Sequence, residues 1–468
     1  MTHYNKQSAW LLVLLAGCVS APAGSALPIT AAMETEAQDS VQLVNYTEEE
    51  PVVSQPDSLL VDEDFELIPT PPVDGFQTNG LTVEAIEQLA LANNPSLGQA
   101  SARVRALRGK YVQVGLAPNP TAGYSASEVG QDGRAGQQGG YAGQEFITGG
   151  KLDKNRAIVA AEIDKAEQVL RATQRRVLTD VRSSYYRALV AQQRIETAKT
   201  LLEAMGEAVN ASKKLLDSEE IPLAGLLQTE VEQQNAQIVH RMAENELSAA
   251  WQQLSAVVGD LDLPPQKLVG DPKALPSELD WDETLARITT LSPEMAAAMA
   301  ELSRSRRALT RARVEPIPDV NTQFTVQYDN STDYTIAGIQ ATIPLPIWNK
   351  NQGGIRQAQA EISVASQNID RVALDLKNRL ASTFREYSNA RTQADTYANE
   401  ILPRAVRTFD LVERGYSLGE LGYLDLLAAQ KTYMQTNLAY LDSLNALWQS
   451  WTEIDGLLLT KSLSTPTE

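Results

Sequence analysis

Residues 177–209 read VLTDVRSSYYRALVAQQRIETAKTLLEAMGEAV, and this stretch decides the fold. Apolar or small residues recur every seven positions in two interleaved series, Val181, Ala188, Ile195, Leu202 and Val209, and Val177, Ser184, Ala191, Ala198 and Met205. Such a seam is typical of a helix that packs along its length against other helices with coiled-coil geometry. Because no proline interrupts residues 152–216, the pattern predicts one continuous helix, roughly 90 Å long.

The same elements occur twice along the chain. Asn94-Pro95 aligns with Ser292-Pro293 at an offset of 198 residues, and Trp251 aligns with Trp451 at an offset of 200. The heptad spacing also returns in the second half, at Leu380, Tyr387, Ala394 and Ile401. A duplicated unit of this size is far longer than a solenoid repeat. We therefore expect a first repeat at 81–262, a linker at 263–279, a second repeat at 280–460 and a tail at 461–468.

Each repeat is predicted to contain a helix, two strands and a long helical hairpin, so the fold class is mainly α with a small β part. In the second repeat, residues 320–328 and 335–343 alternate between apolar and polar side chains. The first repeat shows the pattern more faintly, at 121–128 and 140–147 around a loop at Gln131–Gln138. Strands of about ten residues with one apolar face match transmembrane β-strands. A soluble hairpin packed on helices fits the alternation equally well.

Composition excludes several classes of function. The 468 residues carry 59 acidic and 40 basic side chains, a net charge of −19, which disfavours a general nucleic-acid binder. One Cys and two His leave almost nothing for metal ligation or disulfides, and we expect no cofactor. Twelve of the acids, and no base, lie in residues 18–80. Together with many prolines, they predict an acidic tether rather than a packed domain.

The N-terminus has the pattern of an export signal. Residues 9–16 form a short apolar run of the length of a signal-peptide core, and Leu15-Ala16-Gly17-Cys18 follows it. This tetrapeptide resembles the lipobox of bacterial lipoproteins, which implies that residues 1–17 are removed and that Cys18 is the lipid attachment site. The alternative is an ordinary secretory signal cut near Ala21–Ala26, with Cys18 discarded. Both interpretations place the protein outside the cytoplasm.

Four candidate membrane strands are too few to close a barrel, and a lipid bilayer does not tolerate an open sheet edge. If the strands lie in a membrane, several chains must therefore pool them. Three chains would supply twelve strands, an even number within the known range. The same assembly would gather many long helices into a hollow cylinder that continues the barrel.

Residues 81–460 resemble the TolC family of outer-membrane efflux factors, in particular the lipoprotein-type partners of resistance-nodulation-division pumps. The resemblance rests on Asn94-Pro95, Pro118-Asn119-Pro120, Gly149-Gly150-Lys151, residues 343–353 (IPLPIWNKNQG) and residues 415–430 (GYSLGELGYLDLLAAQ). Residues 343–353 look most like the heavy-metal cation branch of the family. The resemblance implies a homotrimer with a twelve-stranded transmembrane barrel in the outer membrane and an α-helical tunnel in the periplasm.

The resemblance also implies partners and site residues. The partners are a periplasmic adaptor protein and an inner-membrane pump, and the adaptor would contact the two helical tips. These tips are represented by Ser218, Glu219, Glu220, Gly225, Gly419, Glu420, Leu421 and Gly422. Asp425 matches an acidic residue that faces the pore axis in the family, so that three copies would form a carboxylate gate. Ala428 stands where some relatives have a second acid. Asp425 is equally well explained as a first-turn acid that caps the helix after Gly422.

No enzymatic motif is convincing. Gly149-Gly150-Lys151-Leu152 suggests a phosphate-binding loop, but residue 145 is Glu instead of the first Gly and Leu152 replaces the Ser or Thr that would hold Mg²⁺. The favoured function is thus a passive exit duct without catalysis. The alternative is a periplasmic coiled-coil lipoprotein that acts as a spacer or adaptor without a pore.

Overall fold

The structure is a computed structural model that describes residues 80–129 and 135–464. The predicted signal peptide, nearly all of the predicted tether, Cys18 and the last four residues lie outside the described residues.

The helices of the described residues occur in the same order in both halves. They are α1 (Val83–Asn93), α2 (Pro95–Gln113), α3 (Lys151–Asp217), α4 (Leu223–Val258), α5 (Trp281–Leu291), α6 (Pro293–Val314), α7 (Gln352–Thr396), α8 (Leu402–Ser417) and α9 (Tyr423–Asp455). The short helices start at the caps that the sequence contains. The side chains of Asn94 and Ser292 each accept a hydrogen bond from a backbone N–H two residues on, and a proline follows each of them as the first helical residue.

Within the part of the chain that the structure describes, four strands form one antiparallel sheet in the order β1 (Thr121–Val129), β2 (Ala135–Phe146), β3 (Val320–Asp329) and β4 (Tyr334–Thr342). The hairpins of the two repeats join through β2 and β3, where Phe146 is paired with Val320. The β2 strand begins at Ala135, inside the loop predicted at 131–138. Because its glycine- and glutamine-rich start shows no alternation, only pairing with β1 and β3 reveals it as a strand.

The long helix is confirmed. The 67 residues of α3 run unbroken from Lys151 to Asp217, and its seam residues are buried or half-buried against neighbouring helices. The corresponding helix of the second repeat is interrupted by a π-helical segment, Tyr397–Ile401, between α7 and α8. Leu380, Tyr387 and Ala394 are buried as the heptad spacing predicts, but Ile401 is exposed. The wider π turn explains this error, because it rotates the following residues out of the heptad register.

Each repeat has its own apolar core where its short helix packs on its long hairpin. In the first repeat Ile86 of α1 packs with Val181 of α3 and Leu254 of α4, and in the second Ile288 of α5 packs with Leu380 of α7 and Leu444 of α9. All of these side chains are fully buried or nearly so. The equivalent cores confirm a mainly helical, two-repeat fold with a small antiparallel sheet.

Charged groups join the two repeats. The Arg182 guanidinium of α3 contacts Glu87 of α1 at 2.5 Å and Asp455 of α9 at 3.0 Å. Asp180 accepts hydrogen bonds from the backbone N–H groups of Lys461 and Ser462. The end of the described chain is therefore held against the first repeat.

The segment between α4 and α5 is also attached to both repeats. The Gln192 side chain of α3 hydrogen-bonds both the N–H and the C=O of Leu268. From the second repeat, Trp448 Nε1 donates to the Pro272 carbonyl at 2.8 Å and Arg391 donates to the Pro276 carbonyl at 2.6 Å. This proline-bearing segment is thus well ordered by side chains that satisfy its backbone groups.

Candidate functional site: helical tips and open edges

The two helical tips have the same backbone structure. In the first tip the N–H groups of Ser218, Glu219 and Glu220 donate to the carbonyls of Lys214, Leu216 and Leu215. In the second tip every one of these bonds recurs exactly 200 residues later, from Leu418, Gly419 and Glu420. Such bonds satisfy the last carbonyl groups of α3 and of α8, the helices that lead into the two tips. The duplication seen in the sequence therefore extends to individual hydrogen bonds at the tips.

One tip position is strained in the first repeat only. The reversal requires a left-handed backbone, with φ of 74° at Gly419 and 60° at Glu219. Glycine adopts this conformation without steric cost, whereas a residue with a Cβ does not. The candidate tip residues are exposed except Gly225, which is half-buried and lies in the first turn of α4 instead of in the reversal.

Asp425 lies in the first turn of α9 and is exposed. Its Oδ2 atom accepts a hydrogen bond from the Gly422 N–H at 3.0 Å, so the carboxylate satisfies a backbone donor at the helix start. Gly422 has no side chain with which to return the bond. The capping interpretation of Asp425 therefore has direct geometric support, and the pore-facing interpretation stays a prediction.

Above the tips, α9 packs against the first repeat's hairpin. Leu427 and Met434 of α9 meet Met205 of α3 and Ala236 of α4 in a small apolar cluster. Lys431 Nζ of α9 contacts both carboxylate oxygens of Glu232 on α4, at 2.8 and 3.0 Å. Sequence reasoning missed this ion pair. The only signal in the sequence was that Glu232 and Lys431, which have opposite charges, occupy nearly corresponding positions of α4 and α9.

The hairpins form a helical layer with two open edges. Neighbouring helices pack in the order α8, α9, α3, α4. One side of α4 faces α3 through a heptad of small residues, Thr229, Ala236, Ala243 and Ala250, all of them buried. The opposite side carries an exposed apolar stripe, Leu227, Val231, Ile238 and Met242, each more than half exposed.

The other open edge of the layer is α8. This helix packs on α9 through aromatic contacts, with the rings of Phe409 and Tyr433 stacked at 6.0 Å. Gly415 is its only buried residue. Val406 and Leu411 of α8, and Leu418 directly after its end, are large apolar side chains that remain exposed.

The sheet is likewise open. Both β1 and β4 are edge strands, and register places Tyr124, Phe324 and Ile339 on one apolar face. These side chains are exposed, Ile339 to 85%. A soluble hairpin packed on helices would bury such a face, so this interpretation of the strands does not fit the described residues.

The sheet meets the helices at a buried ion pair. Lys151, the first residue of α3, contacts Asp319 just before β3 at 2.7 Å, and its side chain is only 6% exposed. The Asp319 carboxylate also accepts a hydrogen bond from the Thr148 N–H at 2.8 Å. Burial acts to raise the pKa of Asp319, but the hydrogen bonds from Lys151 and Thr148 outweigh it and hold the pKa below its ordinary value.

Residues 80–129 and 135–464 contain neither a membrane-spanning helix nor a metal-binding cluster. No helix in these ranges has both the length and the apolar character of a membrane-spanning helix. No group of three or more His, Cys, Asp or Glu side chains is arranged there to hold a metal ion.

Comparison with known proteins identifies the family. The model of the outer membrane efflux protein family matches residues 86–260 and again residues 285–458, which is more than half of the chain. The chain belongs to the outer membrane efflux protein family. This family consists of efflux channels of the outer membrane, and the predicted resemblance is confirmed.

Individual relatives of this efflux protein agree with the family match. The cobalt-zinc-cadmium resistance protein CzcC of Cupriavidus metallidurans is 28% identical over 384 residues, which cover 81% of this chain and 90% of CzcC. A crystal structure of CusC matches with a TM-score of 0.65 and 18% identity, over 80% of this chain and 91% of that one. The open-state MtrE channel of Neisseria gonorrhoeae matches with a TM-score of 0.60 and 17% identity, over 81% and 89%.

Proposed function

We propose that this efflux protein is the passive exit duct of a tripartite pump and that it works as a homotrimer in the outer membrane. The observation that carries the proposal is the four-stranded sheet, which has two free edges and an exposed apolar face among the described residues. Three copies joined β4 to β1 would pair every edge and form a twelve-stranded barrel with that face toward lipid.

The helical layer supports the same assembly. Its free edges, α4 and α8, both present exposed apolar side chains. When β4 of one copy pairs with β1 of the next, α4 of one copy can meet α8 of another, and burial of both apolar surfaces stabilises the contact. The result would be a helical tunnel continuous with the barrel, through which cargo passes without a chemical step.

The tips are proposed to receive a periplasmic adaptor that is coupled to an inner-membrane pump. Ser218, Glu219, Glu220, Gly419, Glu420, Leu421 and Gly422 are exposed at the ends of the hairpins, which supports this role. We further propose that three copies of Asp425 form an acidic gate at the tip and that Cys18 carries a lipid anchor.

The cargo proposed from the similarity to CzcC is divalent metal cations such as Co²⁺, Zn²⁺ and Cd²⁺.

The experiment compares oligomeric state and conductance in the purified full-length protein. The wild-type protein is expected to be a detergent-extracted trimer that conducts ions in planar bilayers. Ile238→Glu places a carboxylate in the exposed apolar stripe of α4 and should abolish the trimer, because an unpaired charge buried at an interface costs at least about 3 kcal/mol. Gln237→Glu, which adds the same charge on an exposed neighbouring residue, is the matched control and should leave the trimer intact.

The alternative function makes a different prediction. A spacer or adaptor lipoprotein would be a water-soluble monomer without conductance once its anchor is removed, and that result would overturn the exit duct. A trimer that conducts normally with Ile238→Glu would instead show that α4 does not close the tunnel.

A further inference from the structure

The connection from β4 to α7 is longer than its counterpart in the first repeat. Four residues, 147–150, lead from β2 to α3, whereas nine residues, 343–351, lead from β4 to α7. Both connections end on a left-handed residue, Gly150 with φ of 63° and Asn351 with φ of 56°. Because the first repeat makes the same passage with four residues, the additional residues are not needed for the turn itself.

The additional residues are apolar and exposed. Residues 343–348 read IPLPIW and are called here the apolar connection. Leu345 is 75% exposed and Trp348 is 86% exposed, and Ile343 and Ile347 are also exposed. The other tryptophans of the described residues are buried or half-buried. Exposed apolar side chains that occur together in this way mark an interaction surface.

The apolar connection is held in a defined position. The Ile347 N–H donates to the Leu345 carbonyl at 2.9 Å, and the Gln352 side chain donates to the Trp348 carbonyl at 2.9 Å. Asn351 Nδ2 donates to the Ala312 carbonyl at the end of α6 at 2.8 Å. Two prolines further restrict the backbone. The segment therefore presents its side chains from a fixed site at the helix end of the sheet.

Positive charge flanks the same site. A hydrogen bond joins Asn351 to Ala312, and the two cations are their sequence neighbours. Lys350 precedes Asn351, Arg313 follows Ala312, and both side chains are exposed. Neither forms an ion pair within the described residues. The nearby acid Glu315 is engaged by Arg311. The apolar connection thus lies beside two cations that remain available for an external anion.

The orientation of the apolar connection favours lipid over a second copy of the chain. In β4 the apolar face contains Ile339 and Ala341, and the two-residue alternation continues through Ile343 and Leu345. A second copy would meet β4 at its edge, through backbone groups. Side chains that continue the exposed face point away from that edge, toward whatever solvates the face.

We propose that the apolar connection binds the interface of a bilayer that contains anionic phospholipid. Leu345, Ile347 and Trp348 would enter the boundary between head groups and acyl chains, where tryptophan is favoured. Lys350 and Arg313 would contact lipid phosphates. This inference rests on the proposed function, which places the sheet in a membrane.

The test uses Trp348 fluorescence in the full-length protein reconstituted into phosphatidylcholine vesicles. The emission spectrum of wild-type protein minus that of Trp348→Phe gives the fluorescence of Trp348 alone. The matched control is the spectrum of wild-type protein minus that of Trp281→Phe, because Trp281 is half-buried and packs on Phe384. Lipids brominated near the glycerol end should quench the Trp348 component more than lipids brominated near the methyl end. The Trp281 component should stay unchanged.

The charge component is measured with brominated phosphatidylglycerol against brominated phosphatidylcholine. Quenching of Trp348 should favour the anionic lipid, and Lys350→Gln and Arg313→Gln should each lower that preference about fivefold. Equal quenching by both lipids in the wild-type protein overturns the head-group contact. Absence of quenching, whether Trp348 faces water or a neighbouring copy, overturns the membrane contact. Conductance of the same samples separates this failure from failure of the exit duct, because a conducting channel without quenching contradicts only the inference.

Discussion

Replacing Asp425 by asparagine separates the capping role of this residue from its proposed role as a gate. The carboxylate accepts one exposed hydrogen bond of 3.0 Å from the Gly422 N–H. The asparagine amide oxygen can accept the same bond, so Asp425→Asn should lose only the interaction of the charge with the helix N-terminus, about 0.5 kcal/mol. Asp425→Ala also loses the bond and should cost about 1 kcal/mol in total. Thermal unfolding of the full-length protein measures both changes.

The gate predicts a much larger effect on conductance than on stability. Three carboxylates near one axis attract a divalent cation together, and their removal should weaken block by divalent cations about tenfold, or about 1.4 kcal/mol. Both variants should show this loss to the same extent in planar bilayers, although only Asp425→Ala loses the cap. If Asp425→Asn is blocked as strongly as the wild-type channel, the reasoning is refuted and Asp425 is only a cap.

Three further predictions concern stability. Asp319→Asn leaves the buried Lys151 ammonium without its counter-charge and should cost about 2 kcal/mol of the free energy of unfolding, measured by thermal unfolding. Because the pKa of Asp319 is lowered in the fold, the difference in stability from wild type should shrink as the pH falls through that pKa. A difference that does not change with pH would contradict this prediction. Burial raises the pKa of Glu453, so Glu453→Gln should be more stable than wild type at neutral pH, with an advantage that disappears on acidification through the raised pKa. Glu219→Gly should stabilise the first tip by about 1 kcal/mol and Gly419→Ala should destabilise the second, measured by amide hydrogen exchange, and equal exchange in both variants would argue against backbone strain.

The regular part of the fold could be predicted because its determinants are local. The heptad seam of α3 and the alternation of β3 each act within a few residues, and the structure has both as predicted. The duplication made each half a check on the other. Ile401 was misplaced because α3, its counterpart in the first repeat, runs unbroken and gave no warning of the π segment between α7 and α8.

The candidate site was less accessible to sequence reasoning because its contacts join distant residues. The ion pair of Lys431 with Glu232 spans 199 residues, and the pair of Lys151 with Asp319 spans 168. No spacing rule relates such residues. The left-handed conformation of Glu219 was also missed, because glutamate has no preference for it and only the equivalence with Gly419 explains it.

By itself, the sequence determined the two repeats, the long helix α3, the strand hairpins and the family, because periodicity and short motifs are properties of neighbouring residues. Only the tertiary structure decided where β2 begins, which carboxylates meet which cations, and which apolar surfaces have no partner among residues 80–129 and 135–464. Those surfaces, along α4, on the sheet and at residues 343–348, depend on what the rest of the fold covers. Burial is a property of the whole assembly of elements, which no local pattern encodes.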